Sequence, residues 1–85
     1  YEESLRAYEE AMRIEPDSPQ LMNDAGVILQ YHVKGKDALR RAEQLYRDAI
    51  RLAEQQLEDD ALDESQRERV RIALRDARRN LSALR

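Results

Sequence analysis

His32 is the only histidine in the chain, and there is no cysteine. A catalytic histidine needs a nucleophile or a carboxylate brought to it, and a zinc site needs roughly three or four ligands. The surrounding residues, Tyr31-His32-Val33-Lys34, supply neither. His32 therefore reads as a surface residue at a helix end. Eighteen carboxylates offer raw material for acid–base chemistry, but arginines are interleaved with them on solvated helix faces. Glycine-rich phosphate loops and paired-histidine helix motifs are both missing. The sequence thus contains no catalytic, metal-ligating or cofactor-binding set, and a non-enzymatic role without cofactors is expected.

Charge is the other chemical resource. Fifteen basic and 18 acidic side chains leave a net charge of only −3, so no global field draws the chain to nucleic acid or membrane. Locally the balance is uneven. From Glu54 to Glu64 there are six acids and no base, whereas from Arg67 to Arg85 seven arginines face only Glu68 and Asp76. At about 100° per helical residue, Arg67, Arg71, Arg75, Arg78 and Arg85 fall within an arc of roughly 80°. Such a ridge can grip an acidic peptide or a phosphate backbone. The alternative is internal compensation by Glu54, Glu58, Asp59 and Asp60 across a helical hairpin, and that is the expectation adopted. Nucleic acid is disfavoured as a partner, since no aromatic residue follows Tyr46 to stack on a base.

The elements that hold these residues are helical. Ala, Leu, Arg, Glu and Gln dominate, and these lose little entropy in a helix. Tyr1, Leu5, Tyr8, Ala11 and Met12 recur at three- and four-residue steps, with Glu2–Arg6 and Glu9–Arg13 as expected surface pairs. Glu15-Pro16-Asp17-Ser18-Pro19 breaks this helix; Ser18 suits an N-cap and Pro19 the first helical position. A second helix buries Leu21, Met22, Ala25, Ile28, Leu29 and Val33. Gly35 then provides a left-handed cap, and Asp37 is expected to cap the next helix. The third helix, from about Ala38 to Leu57, turns Leu39, Ala42, Leu45, Tyr46, Ala49, Ile50, Ala53 and Leu57 inward. After an acidic connector, Asp63 and Gln66 form a capping box for a last helix burying Val70, Ala73, Leu74, Ala77, Leu81 and Leu84. The predicted fold is all-α: about four antiparallel helices in series. No apolar run approaches the roughly 20 residues that span a bilayer, and membrane association is not expected.

The first and third helices repeat one another. Ser4, Tyr8 and Ala11 correspond to Ala42, Tyr46 and Ala49, and the two final alanines lie 38 residues apart. Pro16 follows Ala11 by five residues, and Met22, Ala25, Gly26 and Leu29 precede the second copy. This pattern resembles the tetratricopeptide repeat, whose period is about 34 and whose helix pair carries these small and aromatic positions. The resemblance covers Tyr1 to about Glu54. Four additional residues separate Leu29 from Ala42, and Glu54 stands where the repeat's final proline would be. In such a repeat Gly26 would let Ala42 or Ala49 approach, and Tyr46 would fill a wider gap with its hydroxyl free.

The resemblance implies a short α-solenoid in one domain. Residues 1–18 would be the second helix of a truncated repeat, 19–58 a complete extended repeat, and 62–85 a capping helix or the first helix of another repeat. It also implies a scaffold that binds a protein or peptide on the outward face of the second helix, through Gln20, Asn23, Val27, Gln30 and Tyr31. A carboxylate-holding subclass is disfavoured, because no lysine accompanies Asn23 and Val27 on that face. A first helix lacking its repeat mate leaves Leu5, Tyr8 and Met12 with an open side, so self-association through that helix is expected. A self-associating bundle is the alternative function, and an RNA-binding helical repeat using the arginine ridge is the weaker one. Nothing in the sequence fixes the compartment; the cytoplasm is the default.

Overall fold

The computed structural model describes residues 2–84. Tyr1 and Arg85, placed respectively on the first apolar face and on the arginine ridge, lie outside the described residues. Those described form four helices and no strand: α1 (Glu2–Ile14), α2 (Pro19–Tyr31), α3 (Lys36–Leu57) and α4 (Glu64–Ala83). The Cα envelope of 40 × 28 × 15 Å is a thin slab. With helix axes about 8–10 Å apart, its short dimension holds only two helix layers. The second helix, α2, is the hub: it packs on α1, α3 and α4, and α3 also packs on α4.

Helix boundaries follow from local chemistry. The Ser18 hydroxyl accepts from the Leu21 N–H at 3.3 Å, and Pro19 occupies the first turn of α2, where its missing N–H costs nothing. At the start of α4 the capping box is complete: Gln66 N–H donates to Asp63 Oδ1 at 2.8 Å, and Asp63 N–H donates to Gln66 Oε1 at 3.0 Å. The junction before α3 departs from expectation. There His32 ends α2, its N–H donating to the Ile28 carbonyl at 2.9 Å, while Gly35 itself is the residue before α3, at φ 113°. Asp37 lies inside the first turn and caps nothing; its acid there still meets the positive end of the helix dipole. Gly35 is required because that backbone conformation strains any residue with a Cβ.

The core is built from small residues around one large one. Tyr46 is fully buried, flanked along α3 by Ala42, Ala49 and Ala53, with Leu29 and Ala25 from α2 and Leu5 from α1. A Cβ added at Gly26 would lie 2.6 Å from Tyr46 Cε1, so this glycine admits the tyrosine ring and not, as the repeat pattern suggested, Ala42 or Ala49. The Tyr46 hydroxyl finds a partner within the fold. It donates to Gln30 Oε1 at 2.7 Å, and burial raises its pKa, with nearby Tyr31 adding to the rise. Leu39, expected inward, is 45% exposed; the buried residue in that first turn is Ala38.

Candidate functional site

The stripe on α2 assigned to a partner is split by the fold. Asn23 is only 4% exposed, and its Oδ1 accepts from the Asn80 side-chain amide of α4 at 2.9 Å. Its outward placement is therefore corrected, since a buried carboxamide is stable only when its polar atoms are paired and α4 supplies the pair. Gln30 is half-buried and committed to Tyr46. Pro19, Asn23, Gly26 and Gln30 recur at steps of four, three and four and form the side of α2 turned to α3 and α4.

One residue further round, the free stripe is Gln20, Asp24, Val27 and Tyr31. Gln20 and Tyr31 are exposed, Asp24 and Val27 half-buried, and Tyr31, at 60%, is among the most exposed large apolar side chains. Asp24 was missed by sequence reasoning, although it lies four residues after Gln20 and three before Val27, where a helical stripe requires a member. Burial raises the Asp24 pKa; hydrogen bonds from Gln20 and Asn23 oppose the rise, and the charge of Asp76 on α4 reinforces it. Asp76 is itself paired with Arg75 at 3.2 Å.

At its N-terminal end the stripe opens into a groove of about 590 Å³. The α1–α2 loop contributes Glu15 and Asp17, α2 contributes Pro19 and Gln20, and the far wall is Asp59, Leu62, Arg69, Val70 and Ala73. Pro19 and Ala73 are buried, while Leu62 and Val70 are half-buried, so the floor is apolar and the rim charged. A side-chain amide of α3 ties the two loops together, Gln56 donating to the Asp17 carbonyl. A smaller groove, about 260 Å³, lies between α1 and α3 over Leu5, Met12 and Leu45, with Glu9 and Arg41 bridging its edge at 3.5 Å.

The ridge arginines of α4, Arg67, Arg71, Arg75 and Arg78, find partners within the chain, though largely different ones from those expected. Arg67 donates to the carbonyls of Leu57 at 2.9 Å and Asp59 at 2.6 Å, capping the C-terminal end of α3. Arg71 pairs within its own helix with Glu64 at 3.1 Å and Glu68 at 2.8 Å, and these carboxylates hold its pKa up. Arg75 turns to Asp76. Only Arg78 crosses the hairpin to an expected acid, Glu54, at 3.1 Å. Acids on the same helix win because they are already held close, Glu68 at the three-residue spacing that makes neighbours, whereas the connector acids must be brought across. The same competition re-sorts α1, where Arg13 pairs with Glu10 and leaves Glu9 to Arg41; Glu2 and Arg6 form no ion pair. His32 is exposed at the end of α2, and the described residues contain no group of three His, Asp or Glu able to hold a metal ion. No described helix is long and apolar enough to cross a membrane.

Comparison of the chain with family models, with curated proteins and with solved structures returns no match.

Proposed function

We propose that this chain is a helical-repeat interaction module of the tetratricopeptide type, which binds a protein or peptide along the exposed stripe of α2 and catalyses nothing. The observation that carries this reading is the stripe itself. Gln20, Asp24, Val27 and Tyr31 run the length of the hub helix, beside α4, and lead into an open apolar-floored groove. An exposed aromatic at one end and a groove at the other provide the anchor and the pocket that recognition surfaces use. The glycine–tyrosine contact between α2 and α3 has the close-approach logic of the repeat pattern, which favours the helix-pair unit as the scaffold.

The experiment is selection from a randomised peptide library, followed by amide-shift mapping of the enriched peptides. Shifts along Gln20, Asp24, Val27 and Tyr31, with affinity falling roughly tenfold in Tyr31→Ala, are expected. Failure to enrich any sequence, or shifts confined to the outer faces of α1 and α3, would overturn the assignment. A second reading, self-association, is favoured by the apolar groove between α1 and α3. In that case sedimentation shows assembly without ligand, and Leu45→Glu abolishes it while leaving peptide binding intact.

A further inference from the structure

Resting on the partner-binding reading above, we infer that the groove at the N-terminal end of α2 receives a cationic segment: an extended peptide with lysine or arginine flanking an apolar residue. The choice of sign follows from counting the charges that are free to act. The groove is rimmed by Glu15, Asp17 and Asp59 against a single base, Arg69. None of the three acids forms an ion pair among the described residues. Glu58 and Asp60 belong to the same connector and likewise form no ion pair among the described residues, while Arg67, at the start of α4, is directed to main-chain carbonyls. An anionic ligand entering here would meet several uncompensated carboxylates for one guanidinium; a cationic one meets the reverse.

The floor decides what accompanies the charge. Pro19, Leu62, Val70 and Ala73 present apolar surface between the charged walls. Burying such surface is favourable in proportion to its area, and an all-polar cation would leave that contribution unused. Beyond the groove, Asp24 continues the acidic character along α2, and Tyr31 offers a ring face on which a lysine or arginine further along the peptide can rest. The acidic rim and Asp24, followed by Val27 and Tyr31, are therefore complementary to a peptide that combines basic and apolar residues. Exposed pairs of this kind weaken as salt rises, because the Debye length shrinks from about 10 Å at 0.1 M to about 3 Å at 1 M.

Two synthetic peptides of equal length test the inference, one alternating lysine with leucine and one alternating glutamate with leucine, followed by fluorescence anisotropy and amide-shift mapping. The basic peptide is expected to bind at least tenfold more tightly than the acidic one, with shifts at Gln20, Leu62, Arg69 and Val70. Binding should weaken at least fivefold in Glu15→Lys/Asp17→Lys, both fully solvated positions outside the helices, and again in high salt. A control reversal on the remote face, Asp37→Lys, should leave it unchanged. Tighter binding of the acidic peptide would make Arg69 the determinant and overturn the inference. So would basic-peptide binding that ignores the Glu15/Asp17 reversal. If neither probe binds while library-selected peptides still map to Val27 and Tyr31, the groove assignment falls and the α2 interaction face stands; if selected peptides fail as well, both fall together.

Discussion

The seam between α2 and α3 and the groove at the end of α2 are built from the same helix by opposite means. At the seam no buried side-chain polar atom among the described residues lacks a partner: Gly26 accepts the Tyr46 ring, and the Tyr46 hydroxyl is taken by Gln30. At the groove, a few turns away, carboxylates stand unpaired around an apolar floor. A sealed seam leaves nothing for a partner to satisfy, whereas an unsatisfied rim does. On the proposed reading, a partner is served by the groove and the stripe leading from it, and stability by the seam.

The sharpest way to break the contrast is at Gly26. Leucine there would drive its Cβ to within 2.6 Å of a buried aromatic carbon. Helix propensity returns about 1 kcal/mol on replacing glycine, but overpacking in so small a core costs roughly 3 kcal/mol or more. A melting-temperature fall of about 8–16 °C is expected from the net loss of about 2 kcal/mol, since each kcal/mol shifts a domain of this size by about 4–8 °C. An unchanged melt would show that the seam is not the stabilising element. Asn80→Ala comes next. It leaves the buried Asn23 carboxamide without its donor, at about 1–3 kcal/mol, and urea unfolding should report the loss. Asn23→Leu/Asn80→Leu in combination should restore part of it, because replacing both partners removes the unsatisfied group.

The charged ridge sharpens the comparison at smaller cost. Arg67→Ala removes two bonds to the carbonyls that end α3, whereas Arg71→Ala removes only exposed intrahelical pairs. The former should cost about 1 kcal/mol and the latter much less, with only the latter fading in high salt. Equal, salt-sensitive effects would mean that Arg67 acts as a charge and not as a cap.

Most of the helical framework was legible, and for local reasons. Ser18-Pro19, Asp63-Gln66 and the alternation of Ala with Leu or Tyr along α3 announce starts and inner faces within a few residues of chain. The free stripe was legible only in part. Gln20, Val27 and Tyr31 were found, yet Asn23 and Gln30 were assigned to solvent, because polarity suggests exposure when the neighbouring helix is unknown. Asn23 is inward only because α4 brings Asn80 to it, a contact between residues 57 positions apart. Leu39 erred in the opposite direction: an apolar residue in a first turn overhangs the end of the slab. The groove could not be foreseen at all, since the α1–α2 loop and the α3–α4 connector that make it meet only through the packing of α2 against α4 and the Gln56–Asp17 bond, all of them contacts between residues far apart in the chain.

The smallest expected effect is also the one that links the two regions, because Asp24 belongs to the free stripe yet feels the interior. Burial raises its pKa from its ordinary value, with the charge of Asp76 adding to the rise and hydrogen bonds from Gln20 and Asn23 only partly offsetting it. A carboxyl whose pKa is higher folded than unfolded binds its proton more tightly in the folded state. Its contribution to stability is complete below the unfolded value, and it is lost as pH rises through the folded one. At neutral pH, then, the ionised Asp24 is a liability, and Asp24→Asn should stabilise the protein. Since the half-buried side chain still reaches solvent, screening limits the gain to less than about 1 kcal/mol. Unfolding measured between pH 3 and pH 7 should find the variant the more stable at the upper end, with the advantage shrinking to nothing at the lower. The same substitution should weaken a lysine-rich peptide severalfold. A variant less stable at pH 7 would place Asp24 among the residues that hold the fold together, and the boundary between the sealed seam and the open stripe would have to be redrawn to include it.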